Sequence, residues 1–262
     1  MTASPVPQIE ALRRSHELLR AAVEPLDASQ LEQRSYDTEW SIAQVLSHLG
    51  SQAEIFELVL DSALAGQDPP GPESFPAIWD RWNAKTPQQQ ADDALQADQA
   101  NLERFEGLNE DQRASLHIKL FGMEADAATL AGMRLGEHAV HTWDVRVALD
   151  PEATVAADAV GLLLDGLGQL AGRSGKPDGQ QRKIRVTTTG PERTFILETT
   201  ADGVTLTAAD GEGTPELGLS ELTLPAEAFL RLIYGRLDAD NDPEAGTAGV
   251  ELGELRPIFP GF

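Results

Sequence analysis

Hydrophobic residues recur with helical spacing along roughly the first two thirds of the chain. In residues 8–24, for example, apolar side chains return every three or four positions, with charged residues opposite them. The clearest start signal is Ser41, which can cap a helix while Gln44, three residues later, completes a capping box. The same pattern predicts further helices over about 42–65, 78–82, 87–105, 126–149 and 155–171. Helices joined by short or moderate loops indicate a helical bundle.

The spacing changes from helical to alternating after residues 173–179, which read Arg-Ser-Gly-Lys-Pro-Asp-Gly. Three runs in which apolar and polar residues alternate predict strands, at 184–188, 195–199 and 204–208. A further strand at 222–224 leads into a short helix that ends near Gly235. We therefore expect an α+β protein with a four-helix bundle over residues 1–174 and a small α+β domain over 175–262. Residues 117–123 look irregular or briefly extended.

The charge balance excludes several classes of partner. Of the 262 residues, 43 are Asp or Glu and 20 are Lys or Arg, which gives a formal net charge of −23. Such a chain repels nucleic-acid phosphates and anionic lipids, so we expect neither nucleic acid nor a membrane as a partner. The N-terminal residues lack a signal-peptide pattern and no apolar stretch is long enough for a bilayer, so we expect a cytoplasmic protein.

The sequence contains no cysteine. This excludes disulfides, thiolate metal sites, iron–sulfur clusters and a protein thiol as nucleophile. A Walker-type phosphate loop and a G-x-S-x-G nucleophile elbow are absent from the sequence as well. The residues left to carry chemistry are five histidines and the carboxylates near them. We expect the four tryptophans, at 40, 79, 82 and 143, in the core.

One predicted helix carries a histidine and a carboxylate with the spacing of a metal site. Glu137 and His141 are four residues apart, so they lie about 40° apart around the helix axis and can share one ion. Asp144, three residues beyond His141, is close enough to accept the other ring N–H of a metal-bound imidazole and fix its orientation. His138 is rotated by about 100° from Glu137, so we expect it to point elsewhere.

A third ligand must come from another helix, and His48 is the natural candidate. It lies in an apolar helical stretch, where a lone imidazole otherwise needs a different partner. Two neutral imidazoles and one carboxylate suit Zn²⁺ and leave positions open for water or substrate. On spacing alone, the alternative that Glu137 and His141 form only a surface pair stays open. His16 and His117 are expected to pack or to face solvent rather than to bind metal.

Two motifs resemble those of a known family. Residues 39–49, which include Trp40 and His48-Leu49, resemble the Trp…His-Leu signature of DinB-like, metal-dependent four-helix bundles. The second motif is similar to a signature of the mycothiol-dependent maleylpyruvate isomerase family and reads Glu137-x-x-x-His141-x-Trp143-Asp144. The resemblance implies that His48, Glu137 and His141 hold a divalent metal, usually zinc. It also implies that the C-terminal domain is similar to sterol carrier proteins.

The same resemblance implies an enzyme that uses mycothiol together with a small electrophilic substrate. A metal ion can bind such a thiol and stabilise its thiolate, which accounts for a protein without cysteine. Addition of the thiolate to a conjugated double bond, rotation and elimination give cis–trans isomerisation, whereas another electrophile gives S-transfer. In the family an arginine of the C-terminal domain offsets the negative charge of the substrate. Arg236 is the better candidate for this catalytic role here, and Arg231 is the second.

Two other functions stay open. The chain could be a non-catalytic protein whose C-terminal domain binds a small apolar ligand, or a regulatory or stress-response protein that retains only the fold. Three intact candidate ligands argue against the last function, because a degenerate member would be free to lose them.

Overall fold

The computed structural model describes residues 4–36, 39–120, 122–209, 219–240, 243 and 245–261. It divides into two compact units, Met1–Ala159 and Val160–Phe262. Within the described residues the first unit is mainly helical, and the second combines helices with a sheet.

The first unit contains a bundle of four long helices. Its elements in chain order are α1 (Val6–Val23), α2 (Ala28–Leu31), α3 (Ile42–Ala65), a 3₁₀ turn (Pro72–Ser74), α4 (Phe75–Asn83), α5 (Pro87–Glu106), α6 (Glu110–Ser115), β1 (His117–Leu120), β2 (Met123–Asp126) and α7 (Ala127–Leu149). Helices α1 and α3 each pack against both α5 and α7, so the four long helices close into a ring around one core. The antiparallel hairpin of β1 and β2 precedes α7.

Local signals determine where the bundle helices begin. Ser41 accepts a hydrogen bond from the backbone N–H of Gln44, and the Gln44 side chain accepts one in return, which is the capping box that the sequence predicts. Thr86 and Gln89 form the same box ahead of Pro87 at the start of α5. Because the start of α3 is set locally, the direction of residues further along it follows from helix geometry.

Helix α4 approaches α3 closely at a glycine. A Cβ atom at Gly50 would lie 2.3 Å from the ring of Trp82, so a larger residue at position 50 would push α4 away. Phe75, Ile78 and Trp82 form the buried face of α4. Trp79 lies outside this face and is 40% exposed, and Trp40 is half-buried, contrary to the expectation that all four tryptophans lie in the core.

The second unit is an α+β unit. Its elements are α8 (Ala157–Leu163), which begins before the division, a 3₁₀ turn (Leu164–Gly166), α9 (Leu167–Ser174), β3 (Arg182–Thr189), β4 (Arg193–Thr199), β5 (Val204–Ala208), β6 (Ser220–Pro225), α10 (Ala226–Ile233), β7 (Gly246–Ala248), α11 (Leu252–Leu255) and a 3₁₀ turn (Arg256–Ile258). The strand order is β5-β4-β3-β6-β7, with β3 and β6 parallel and the other neighbours antiparallel. Helix α9 packs on β5, and α10 packs on β3 and β6.

The α+β fold class predicted from the sequence is confirmed. The change of pattern places a boundary after residue 174, whereas the compact units divide after Ala159. The difference arises because α9 packs on the sheet, and helical spacing alone does not tell which partner covers an apolar helix face. The residues expected to be briefly extended form the hairpin of β1 and β2. No helix within the described ranges combines the length and the apolar composition that crossing a bilayer requires.

Candidate metal centre

Two bundle helices bring together the three residues predicted as metal ligands. His48 lies in α3, and Glu137 and His141 lie one turn apart in α7. Nε2 of His48 is 3.2 Å from Oε2 of Glu137, and Nε2 of His141 is 3.9 Å from the same oxygen. One candidate ligand atom of each residue lies within 4.8 Å of the other two, a separation that one ion can bridge. We call these residues the open cluster; their role as ligands stays a prediction.

Glu137 and His48 have the protonation states that a cation requires. Burial raises the pKa of Glu137, but the hydrogen bond with His48 and the nearby positive charges outweigh it and lower the pKa to about 2. Glu137 is therefore a carboxylate at neutral pH. Burial lowers the pKa of His48, so its imidazole is neutral at that pH. Carboxylates and neutral imidazoles are the forms of these side chains that bind metals.

Asp144 contacts the ring nitrogen of His141 that faces away from Glu137. The Asp144 side chain is fully buried, and its Oδ2 lies 2.8 Å from Nδ1 of His141. If Nδ1–H donates to this carboxylate, Nε2 keeps its lone pair on the side of Glu137. The backbone N–H of Tyr36 donates to the Asp144 carbonyl at 3.1 Å, which ties the segment before α3 to α7. The separation of three residues on one helix produces the contact between Asp144 and His141.

The donor set of the open cluster fits a zinc ion. Two imidazoles and one carboxylate are a ligand set found at catalytic zinc, and they leave coordination positions for water or substrate. The side chains of His48, Glu137 and His141 are 20%, 40% and 12% exposed, so the cluster is accessible from one side. A small molecule can therefore reach the point where the three donors converge.

A cavity of about 420 Å³ adjoins the open cluster. Its lining residues are Trp40, Gln44, His48, Ser51, Trp79 and Asn83. His48 belongs to both the cavity and the cluster. The Trp40 ring centroid is 5.3 Å from that of His48 and 6.4 Å from that of His141, so Trp40 contacts both the cavity and the cluster. The volume lies within the range of about 300–1,000 Å³ that is usual for small-molecule sites.

His138 faces away from the open cluster and joins a second group of donors. We call His16 of α1, Asp98 of α5 and His138 of α7 the sealed cluster, because all three are buried. Nδ1 of His138 is 2.8 Å from Oγ of Ser15, and Nε2 is 3.2 Å from Oδ2 of Asp98. The prediction from helix geometry that His138 points elsewhere is confirmed. His16 is packed in the interior, one of the two positions expected for it.

A buried ion pair completes the sealed cluster. Arg134 of α7 forms a salt bridge with Asp98, and both side chains are 1% exposed. Sequence analysis does not identify either residue as functional or structural. A signal for Asp98 exists in α5, where Ala91, Ala94 and Asp98 follow one another with helical spacing on the inward face. A carboxylate at such a position requires a buried partner.

The two candidate catalytic arginines both belong to the second unit. Arg231 lies in α10, and its Nε donates to Oε1 of Glu227 at 2.9 Å. Arg236 follows the helix, and its Nη1 donates to the carbonyl of Tyr234 at 2.8 Å. Both side chains are more than nine-tenths buried. Their catalytic role stays a prediction.

Comparisons with known proteins agree with the fold. Residues 12–146 match the model of the family described as the mycothiol maleylpyruvate isomerase N-terminal domain. A solved mycothiol-dependent maleylpyruvate isomerase is 14% identical, with a TM-score of 0.67 over 96% of this chain and 97% of that chain. A mutant of a mycothiol-dependent maleylpyruvate isomerase is 14% identical with the same coverage and a TM-score of 0.66. YfiT from Bacillus subtilis, described as having an unusual four-helix bundle topology, is 16% identical and gives a TM-score of 0.44 over 56% of this chain and 88% of that chain. No curated protein has a matching sequence.

Proposed function

The chain belongs to the mycothiol maleylpyruvate isomerase family, and on this premise we propose that it is a metal-dependent enzyme that uses mycothiol. The observation that supports the proposal best is the open cluster, in which three donors from two helices converge beside a cavity. The proposed reaction is cis–trans isomerisation of a small electrophilic substrate or S-transfer to it.

We assign the metal to His48, Glu137 and His141, with Zn²⁺ as the ion that suits this donor set. When bound, the ion lowers the pKa of a coordinated thiol and so supplies a nucleophilic sulfur near neutral pH. Glu137 contributes the negative charge of the donor set, and the imidazoles contribute neutral nitrogens. Because the chain has no cysteine, no thiol of its own competes for the ion.

Two neighbouring residues orient and shield the donors. Asp144 keeps the proton of His141 on Nδ1, which leaves Nε2 as the donor atom. Trp40 lies nearly parallel to the His141 ring, at an interplanar angle of 25°, and covers the imidazoles on the cavity side. An apolar cover limits access of water and so strengthens the electrostatic interactions within the site.

We propose that Arg236 binds the negatively charged group of the substrate, with Arg231 as the second candidate. Both assignments are carried over from the family. The net charge of −23 gives an anionic substrate no general attraction, so a local cation must offset the repulsion.

The proposal is tested with zinc-loaded, full-length protein. We expect about one ion per chain and mycothiol-dependent turnover of maleylpyruvate or another small electrophile. Arg236→Ala should lower turnover at unchanged metal content, whereas Arg193→Ala, at an exposed position of the same unit, should change neither. Turnover without any added thiol would contradict the proposal and favour metal-assisted hydrolysis. Failure to bind a thiol would favour a ligand-binding protein instead.

Product analysis separates the two proposed reactions. Isomerisation returns the thiol, so its concentration stays constant while the cis substrate disappears. S-transfer consumes one thiol for each substrate molecule and leaves a thioether. A thiol titration during turnover therefore tells which reaction takes place.

A further inference from the structure

Trp79 is exposed in a way that folding does not explain. The core contacts of α4 are made by Phe75, Ile78 and Trp82, and Trp79 lies outside this face with 40% of its surface exposed. Its ring contacts Phe75 at a centroid distance of 6.1 Å and forms part of the cavity wall. A large apolar ring in an open cavity is typical of a ligand-binding surface.

Two amide side chains in the cavity lining use their oxygens in hydrogen bonds within the protein, but not their NH₂ groups. Oε1 of Gln44 accepts the backbone N–H of Ser41 at 2.8 Å, and Oδ1 of Asn83 accepts the hydroxyl of Ser47 at 2.8 Å. Each amide oxygen is thereby fixed, while neither NH₂ group has a hydrogen bond among the described residues. The cavity therefore offers amide donors of fixed orientation.

The cavity lining is polar but has almost no charge. Apart from His48, its described lining residues are tryptophans, amides and a serine. Oγ of Ser51 donates to the His48 carbonyl at 2.7 Å and keeps lone pairs as acceptors. Such a surface gives a carboxylate no cation to pair with, so it favours a neutral ligand that carries hydroxyl groups.

The position of the cavity tells which part of a ligand it contacts. Because His48 belongs to both the open cluster and the cavity, a molecule whose sulfur lies at the cluster can extend past His48 into the cavity that Trp79 lines. The C–H faces of a sugar or cyclitol ring carry small positive partial charges, which suit the negative π face of an indole. Its hydroxyl groups suit the amide and hydroxyl groups of the lining.

From these contacts we propose that the cavity is the subsite for the neutral, polyhydroxylated ring portion of the thiol. Trp79 and Trp40 form its apolar walls, and the amides of Gln44 and Asn83 donate to ring hydroxyls. The inference rests on the proposed function for the identity of the thiol, since mycothiol carries glucosamine and inositol rings.

The test uses zinc-loaded, full-length protein and, as the probe, N-acetyl-glucosaminyl-inositol, which has no thiol and no charge. Calorimetric titration should show binding to the wild type, about tenfold weaker binding to Trp79→Ala, and partial recovery in Trp79→Phe. Leu58→Ala is the matched control, because Leu58 is also 40% exposed in this unit but does not line the cavity; it should bind like the wild type. Equal binding by the wild type and Trp79→Ala, or no binding at all, would overturn the proposal.

Kinetics separate this inference from the proposed function. In Trp79→Ala, the ratio of kcat/KM for mycothiol to kcat/KM for N-acetylcysteine, which lacks the rings, should fall about tenfold. If mycothiol supports turnover but this ratio is unchanged, the subsite is wrong and the proposed function stands. If no thiol supports turnover while the probe still binds through Trp79, the subsite stands and the proposed function is wrong.

Discussion

The open and the sealed cluster lie in the same helical bundle and contain the same donors, two histidines and one carboxylate. In each cluster, one candidate ligand atom of every residue lies within 4.8 Å of the others. Helix α7 contributes to both clusters through neighbouring residues, Glu137 and His138. What differs is the set of other groups that these donors contact.

In the sealed cluster Asp98 and His138 already have partners. The charge of Asp98 is balanced by Arg134, and both ring nitrogens of His138 lie within hydrogen-bond distance of Ser15 or Asp98. A cation placed there would meet the guanidinium group at close range and would have to displace these bonds. We interpret this cluster as a structural network that joins α1, α5 and α7.

In the open cluster the three donors face one another, and their side chains are partly exposed to solvent. The Glu137 carboxylate lies between two imidazoles, and Asp144 occupies only the outer nitrogen of His141. Proximity of donors is therefore not sufficient for a metal site. The guanidinium partner of the carboxylate, which among the described residues only the sealed cluster has, and the exposure of the open cluster distinguish the two.

The largest expected effect is on stability, from Asp98→Asn. This change leaves Arg134 as an unpaired charge in the interior, so the free energy of unfolding of the metal-free protein should fall by about 3–5 kcal/mol. Urea titration measures it. Asp61→Asn is the control, because it removes a partner of Arg104 at an exposed ion pair and should cost no more than about 1 kcal/mol. Similar losses in both variants would contradict a structural role for the sealed cluster.

The second prediction compares the effects of removing two histidines of α7, one from each cluster. His141→Ala should lower metal affinity by more than the roughly 10–100-fold that loss of an outer-shell partner causes, because it removes a ligand itself. His138→Ala should destabilise the bundle but keep the metal stoichiometry, since its partners are Ser15 and Asp98. Elemental analysis of the folded proteins measures both. Loss of the metal from His138→Ala alone would identify the sealed cluster as the metal site.

The contrast between the clusters also shows what the sequence can predict. The spacing of Glu137, His141 and Asp144 lies within one helix, so helix geometry alone predicts which side chains share a face. His48 lies on another helix, so helix geometry could not place it beside them; its apolar surroundings made it the candidate, and the family resemblance supported it. The start of α3 at the Ser41 capping box is likewise a local signal.

The features that the sequence does not predict depend on packing between distant segments. Asp98 and Arg134 come from different helices. The spacing of Asp98 places its carboxylate on the inward face, but nothing local identifies Arg134 as its partner. Trp79 and Asn83 line the cavity because α4 packs closely on α3 at Gly50. The packing of α9 on the sheet depends in the same way on contacts between segments far apart in the chain.

The third prediction sharpens the account of the open cluster. Asp144→Asn removes the charge behind His141 and weakens the preference for a proton on Nδ1. Metal affinity should fall by about 10–100-fold, whereas the structure and position of the three donors should not change. A competition titration with a zinc chelator measures the affinity. An unchanged affinity would show that Asp144 does not orient the ligand.

The smallest expected effect is that of His16→Phe in the sealed cluster. Nδ1 of His16 is buried without a hydrogen-bond partner among the described residues, so an apolar ring should change the free energy of unfolding at pH 7 by less than about 1 kcal/mol. The pH dependence should change more clearly. Burial lowers the pKa of His16, an effect that the Asp98 charge partly offsets.

The unfolded chain therefore takes up a proton at this histidine near its ordinary pKa of about 6.5, while the folded protein resists it. Stability from this group is present above that pH and is lost as the pH falls from there toward the folded-state pKa. Urea titrations of metal-free protein between pH 7 and pH 5 should show a shallower decline for His16→Phe than for the wild type. Equal declines would mean that Asp98 and the nearby groups stabilise protonated His16 as well as water does. The folded protein would then accept a positive charge in the sealed cluster despite its burial.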